Sequence, residues 1–331
     1  MNASARRDYL LLTAISAALS AGALIFYYHQ GAILLYGDAV AHIHIARRVF
    51  DSRTPGLFQL GTVWLPLPHL LDIPFIVNHR LWQTGLGASI PSMIAYIAGT
   101  LGVFRLVSGL ASRPAAWIAA LIYALNPNLL YMQSTAMGES LYLALFVWSA
   151  VYFADFVRLS RDDPEQAGKS LKKCGLLVSA AMLVRYDGWF LAAVIAVCAA
   201  ILLWRMRPNA LPPLRRGLRN FLLLTGSTAA LFLLYNQIAF DNALEFANGP
   251  YSARAIQQRS KTATMPSYPG ENSPRDATLQ FLKVSRLNLA QGPTEFLLFN
   301  GAFMALLASL YFARRYLSSA VLWAPLPVYV L

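Results

Sequence analysis

Charge is what this sequence has least of. Only 13% of its 331 residues are Asp, Glu, Lys or Arg, against roughly a quarter in an average soluble domain. With 57% of residues hydrophobic, that shortage excludes an ordinary soluble domain and a disordered chain alike. Cysteine is nearly missing. Cys174 and Cys198 lie in or beside apolar blocks and make no disulfide framework. There is no Walker A sequence, no Gly-x-Ser-x-Gly elbow and no Cys/His pair at zinc spacing. Those absences argue against ATP-driven transport by this chain alone. No internal repeat and no low-complexity tract is visible either.

What the chain has instead is a series of apolar blocks of roughly 17–25 residues, the length that crosses a bilayer as a helix. In hydrocarbon every backbone polar group must be paired within its own segment, so such blocks are read as helices. The expected fold class is all-α, a polytopic transmembrane bundle. Arg6 and Arg7 precede the first run, Tyr9 to Tyr28. It is longer than a signal-peptide core and stays apolar past Ser20-Ala21-Gly22, so a retained first helix is expected. Further spans are expected at Ile90–Leu110, Pro114–Met132, Ser140–Val157, a short Lys173–Val184, Trp189–Leu203, Leu218–Phe240 and Glu295–Tyr311. Another starts at Ser318 and is still apolar at Leu331, so a longer natural protein is expected. Residues 1–331 thus read as one membrane-embedded module of about 8–9 such helices.

The net charge of +12 would suggest nucleic acid in a soluble protein. Here its distribution fits the positive-inside rule, and no nucleic-acid partner is expected. With the N-terminus inside, the inner connections hold Arg6, Arg7, Arg105, Arg113, Arg158, Arg161, Lys169, Lys172, Lys173, Arg205, Arg207, Arg215, Arg216, Arg219, Arg314 and Arg315. That is 16 of the 27 basic residues. Both long loops, 29–89 and 241–293, then fall on the outer face. The first reads as interfacial: an amphipathic helix from Asp38 to Phe50, then a stretch punctuated by Pro66, Pro68 and Pro74, with Tyr36, Trp64 and Trp82 suited to the headgroup zone.

Five clusters could carry chemistry. Asp38 and His42 would be i,i+4 neighbours if a helix begins near Gly37. The pair could take a proton from an acceptor, or Asp38 could be only a helix cap. Glu139 stands at the outer end of a span, where a carboxylate needs a partner or water, or simply suits a helix N-terminus. Arg185-Tyr186-Asp187-Gly188 interrupts an apolar stretch of about 30 residues, which calls for two helices and a turn. Arg185 could meet a lipid phosphate or neutralise Asp187. His69 closes the stretch Gly61 to His69, which reads as a proline-kinked turn; a lone histidine there is more often a structural hydrogen-bonder. Arg254 lies in a turn followed by a short helix, with Arg259 and Lys261 nearby. That loop could close over a phosphate or be solvated near anionic lipid.

Taken together, Gly37-Asp38-Ala39, His42, Ala46-Arg47-Arg48, Pro66-Leu67-Pro68-His69-Leu70, Glu139-Ser140-Leu141 and Arg185-Tyr186-Asp187-Gly188-Trp189 resemble the glycosyltransferase C superfamily. They look most like its bacterial branch of protein O-mannosyltransferases and the lipid A aminoarabinose transferase. The resemblance implies a polyprenyl-phosphate-linked sugar donor, a lipid, glycan or protein acceptor, and inversion at the anomeric carbon. It implies residence in the bacterial inner membrane among its lipids, with the active site outside. The acidic residue of the first external loop, the catalytic base of that family, maps onto Asp38. Glu139 matches a second assisting acid, with His42 beside the base. Arg185, Tyr186, Asp187, His69 and Arg254 would serve the lipid phosphate. Phe240-Asp241-Asn242-Ala243-Leu244 departs from the family's Phe-Gly-Asp-Pro-Leu. No Asp-x-Asp metal site is present, so no cofactor is expected, a divalent metal being compatible but not indicated. The rival expectation is a lipid or solute transporter or flippase, which would carry broken helices and midplane charges, often in two related halves.

Overall fold

The computed structural model describes residues 3–61, 63–206, 211–260 and 273–289. Among them every regular element is a helix and no strand occurs. α1 (Ala3–His29) is followed by α2 (Gly37–Arg48), a single 3-10 turn at Leu57–Gln59, α3 (Pro66–Ile76) and α4 (His79–Thr84). Next come α5 (Leu86–Leu110), α6 (Arg113–Ala124), α7 (Pro127–Met132), α8 (Glu139–Leu159), α9 (Pro164–Met182), α10 (Asp187–Trp204) and α11 (Leu211–Phe240). α12 (Glu245–Asn248), α13 (Ala253–Ser260) and α14 (Pro274–Leu289) complete the described chain.

Five of these helices, α1, α5, α8, α10 and α11, are long and apolar enough to cross a membrane. The chain is a helical membrane protein on that ground. The spans expected at Glu295–Tyr311 and from Ser318 lie outside the described residues, as do parts of the loop 241–293.

Three expectations are corrected. Pro114–Met132 is not one helix: it breaks at Leu125-Asn126. Pro127 has no N–H to continue the ladder, and the Asn126 side chain accepts from Leu129 N–H to start α7 afresh. The short Lys173–Val184 is the second half of the longer α9. That helix begins at Pro164 behind Asp163, whose carboxylate accepts from Gln166 N–H. Its first turns are too polar to look like a span. The Pro66–Pro68 stretch is not a turn but the start of α3. Prolines fit there because first-turn N–H groups have no intrahelical acceptor.

α9 packs against α8, α10 and α11. Phe153, Phe156, Leu171, Cys174, Val178, Leu191, Ile195, Leu214 and Phe221 are fully buried between them. Glycine sets the closest approach. A Cβ on Gly168 would lie 2.7 Å from Pro213 O, and one on Gly217 would lie 2.8 Å from Gly168 Cα. The α9–α10 turn is as tight: a Cβ on Gly188 would meet Ala181 C and Met182 N at 2.6 Å.

The bundle has two chemically different ends. At one, Asp8 accepts from Arg113 Nε and Nη2, each at 2.6 Å, and from Trp117 Nε1. At the same end Asp155 bridges Arg105 and Arg158, and Glu165 faces Arg216. The other end gathers the loop after α1, the start of α5, the segment before α8, the α9–α10 turn and the end of α11. Ser89 and Ser92 of α5 donate to Ser134 O and Met137 O. Tyr235 of α11 donates to Leu57 O and Leu60 O.

Candidate active site

The loop-bearing end collects most of the polar residues singled out in the sequence. α2 brings Asp38 into its first turn, where a carboxylate suits the helix dipole. Asp38 is not the cap: the cap position is Tyr36, and no side chain caps α2. The Asp38 side chain is exposed and makes no hydrogen bond or ion pair to a described residue.

One turn on, His42 is buried. Its i,i+4 relation to Asp38 holds, and the carboxylate acts on it through space. Its contact partner, however, is His69: His42 Nδ1 and His69 Nε2 lie 2.8 Å apart. Trp64 packs edge-on against the His42 ring at 4.5 Å. Burial pushes the imidazolium form of His42 down to a pKa of about 4; Asp38 pulls the other way, and Arg185 adds to the depression. Burial, the charge of His42 and Arg48 push His69 down to about 3. Both rings are therefore neutral near pH 7.

Two straps hold this loop on the bundle. Leu67 N–H donates to Leu183 O at 3.0 Å. Tyr186 O–H donates to Val63 O at 3.0 Å. The Tyr186 ring also stacks on Phe246 of α12, at 5.1 Å and 17°, beside Trp189 and Phe232. Its hydroxyl is thus already engaged, and burial raises its pKa.

Beyond the straps sits a three-member charge group. Arg185 Nη1 donates to Glu139 Oε1 at 2.7 Å, and Arg185 Nε to Asp187 Oδ2 at 2.9 Å. Glu139 Oε2 is buried and has no hydrogen-bond partner among the described residues. Arg254 is exposed on α13, and no hydrogen bond or ion pair joins it to a described residue.

Three features of this end were not foreseen in the sequence. The His42–His69 contact spans 27 positions, and nothing local announces it. Asp72, three residues after His69 on α3, is buried with Oδ2 unpartnered among the described residues, and burial holds its pKa well above the usual range. The spacing His69-x-x-Asp72 would have flagged it had Pro66–Pro68 been read as a helix start. Third, a cleft of about 530 Å³ lined by Tyr27, Ala32, Leu35, Tyr36, Pro127, Asn128 and Tyr131 opens next to Asp38 in the chain. Among the described residues, no three His, Cys, Asp or Glu side chains are grouped as metal ligands would be.

The arrangement places an accessible carboxylate one helical turn before a buried pair of imidazoles, on a membrane bundle, with Leu35 and Tyr36 just before it in the chain lining a largely apolar cleft. Chemically it can accept a proton at Asp38, donate or accept a hydrogen bond at His42, and seat an apolar chain. No protein-family model matches this chain, and no curated protein matches it.

Proposed function

We propose that the chain is a membrane glycosyltransferase. It moves a sugar from a polyprenyl-phosphate donor to an acceptor on the outer face of a bacterial inner membrane, with the N-terminus cytoplasmic. The observation that carries this reading is Asp38: an exposed, unpaired carboxylate at the loop-bearing end of an apolar bundle, next to a neutral histidine pair and an apolar cleft.

In this reading the acceptor hydroxyl or amine attacks the anomeric carbon as the carbon–oxygen bond to phosphate breaks. The electron pair leaves with the phosphate, and Asp38 takes the proton. A single displacement inverts the anomeric centre. The phosphate is already a fair leaving group, so most of the rate comes from positioning plus base catalysis. Glu139 and His42 are the positioning partners. Arg185, bracketed by Glu139 and Asp187, holds those carboxylates in place rather than offering a free charge. This reading assigns the exposed Arg48 and Arg254 to the donor phosphate, with Arg53 and Arg80 exposed at the same end. The ion pairs on the bundle supporting this reading sit toward helix ends, which suits a one-sided site better than a midplane pathway.

The test is donor turnover. The purified protein in nanodiscs is given a panel of labelled polyprenyl-phosphate hexoses and pentoses, with lipid, glycan and protein acceptors. The expected result is release of polyprenyl phosphate as label moves to one acceptor class with inverted linkage. A retained linkage, or no turnover with any donor, would remove the reading.

A further inference from the structure

The His42–His69 contact carries more than proximity. Two neutral imidazoles with nitrogens 2.8 Å apart share one proton, so one ring donates and the other accepts. That leaves two arrangements. If His42 Nδ1–H donates, His69 accepts at Nε2 and must carry its own proton on Nδ1. That nitrogen is buried with no hydrogen-bond partner among the described residues, so an N–H would be enclosed without an acceptor from them. His42 Nε2 would then be a bare lone pair in the field of the Asp38 carboxylate. If His69 Nε2–H donates instead, the enclosed His69 Nδ1 is a lone pair, and His42 carries its proton on Nε2. A buried orphan donor is the rarer and costlier defect, and an N–H is the form that a nearby carboxylate favours. Both considerations select the second arrangement.

The charges that bear on the pair agree. Asp38 on α2 and Arg185 from the α9–α10 turn act on His42; Arg48 acts on His69. A cation near His69 disfavours a second proton on that ring. Asp72 on the same helix is buried, and burial pushes its pKa up, away from the charged form. Trp64 against the opposite ring fixes the imidazole plane.

We infer that His69 is a positioning residue: it donates from Nε2 to His42 Nδ1 and so locks His42 in the Nε2–H tautomer, a fixed hydrogen-bond donor beside Asp38. The use of that donor, holding the acceptor oxygen in line, rests on the transferase reading. The tautomer itself does not.

The experiment is ¹⁵N NMR of the full chain in nanodiscs with imidazole-labelled histidine. The chain has five histidines, and the His42 signals are assigned by comparison with His42→Gln. In the wild type at pH 7 His42 is expected as the neutral Nε2–H form. His69→Phe removes the donor, and the Nε2–H form should fall from dominant to a mixture. His69→Gln, whose amide N–H can reach the same Nδ1, should restore it. Wild-type His42 in the Nδ1–H or imidazolium form would overturn the inference, and so would a tautomer unchanged in folded His69→Phe. If His69→Phe does not fold, His69→Leu is read in its place, and wild-type His42 in the Nδ1–H form still overturns the inference. With the donor panel, His69→Phe should lower kcat with little change in KM, and His69→Gln should recover it. Absence of turnover in the wild type would sink the transferase reading while leaving the tautomer measurement intact.

Discussion

The two ends of this bundle use charge in opposite ways. At the end that holds Asp8 and Asp155, the least exposed carboxylates are taken up by arginines. Asp8 is closed off by Arg113 and Trp117, and Asp155 by Arg105 and Arg158. At the loop-bearing end polar atoms are left over. Asp38 has no partner among the described residues, while Glu139 Oε2, Asp72 Oδ2 and His69 Nδ1 are buried without one. Buried polar groups are normally satisfied. Buried polar atoms without a partner among the described residues make the loop-bearing end the candidate site. Arg185 sharpens the contrast. Among the described residues of the loop-bearing end, Arg47 pairs with Asp51 and Arg185 with both Glu139 and Asp187, and even there one oxygen of Glu139 has no hydrogen-bond partner.

The largest expected effect is on activity at Asp38. Asp38→Asn should cut donor turnover by about 100-fold or more, the usual scale of a lost general base. Its thermal midpoint should stay close to the wild type, because the native carboxylate is exposed and makes no hydrogen bond or ion pair to a described residue. A midpoint that drops with activity would make Asp38 structural and erase the contrast.

The next effect concerns pH. The unfolded histidines take protons near 6.5, but the folded ones only near about 4 for His42 and about 3 for His69. Between those values the unfolded state binds more protons, so stability should fall as pH drops below about 6.5 and level off only below about 3. Asp72 works in the other direction. Its folded pKa is raised above the ordinary 3.8, so the unfolded state loses its proton first and stability falls as pH rises from that value. Asp72→Asn removes that loss. It should raise the midpoint at pH 7 and make little difference near pH 4, as a pair of thermal melts at the two values would show.

Smaller still is Arg185→Ala. Both of its partners keep solvent contact, so the stability loss should be about 1 kcal/mol or less by denaturant melt. Turnover should nevertheless fall, because Glu139 and Asp187 lose their shared anchor. Arg185→Lys should rescue little, since a point ammonium cannot reproduce the fork that bonds two carboxylates at once. Last comes Tyr186→Phe, which should act on stability alone. It removes the bond to Val63 O and keeps the ring on Phe246, which should cost about 1 kcal/mol in the same melt and leave the tautomer of His42 unchanged.

Much of the fold could be read in advance because spans leave a coarse signal. Apolar blocks of membrane length mark α1, α5, α8, α10 and α11 without reference to anything distant. The α2 helix was visible from its local pattern, and so was the turn at Arg185–Gly188. Where the signal is finer, reading failed. α9 carries its polar first turns into the bundle, so a hydropathy reading starts it too late. The α6–α7 break depends on one Asn cap and one proline. The site divides the same way. Asp38 stood out as an acid at a boundary, and Glu139 and Arg185 as charges at span ends. The pairing of His42 with His69, the loss of Arg185 to two carboxylates and the engagement of the Tyr186 hydroxyl are tertiary facts. They arise from straps such as Leu67 N–H to Leu183 O, which no periodicity encodes.

The most direct measurement crosses the two ends. Asp38→Asn and Asp8→Asn are reconstituted side by side, and donor turnover and thermal midpoint are read on the same preparations. Asp38→Asn should lose turnover and keep its midpoint. Asp8→Asn, which breaks a pair with two 2.6 Å bonds to Arg113, should lose midpoint and, below its melting temperature, keep turnover. Asp38→Asn retaining full turnover, or both variants losing both properties together, would contradict the assignment of chemistry to one end and architecture to the other.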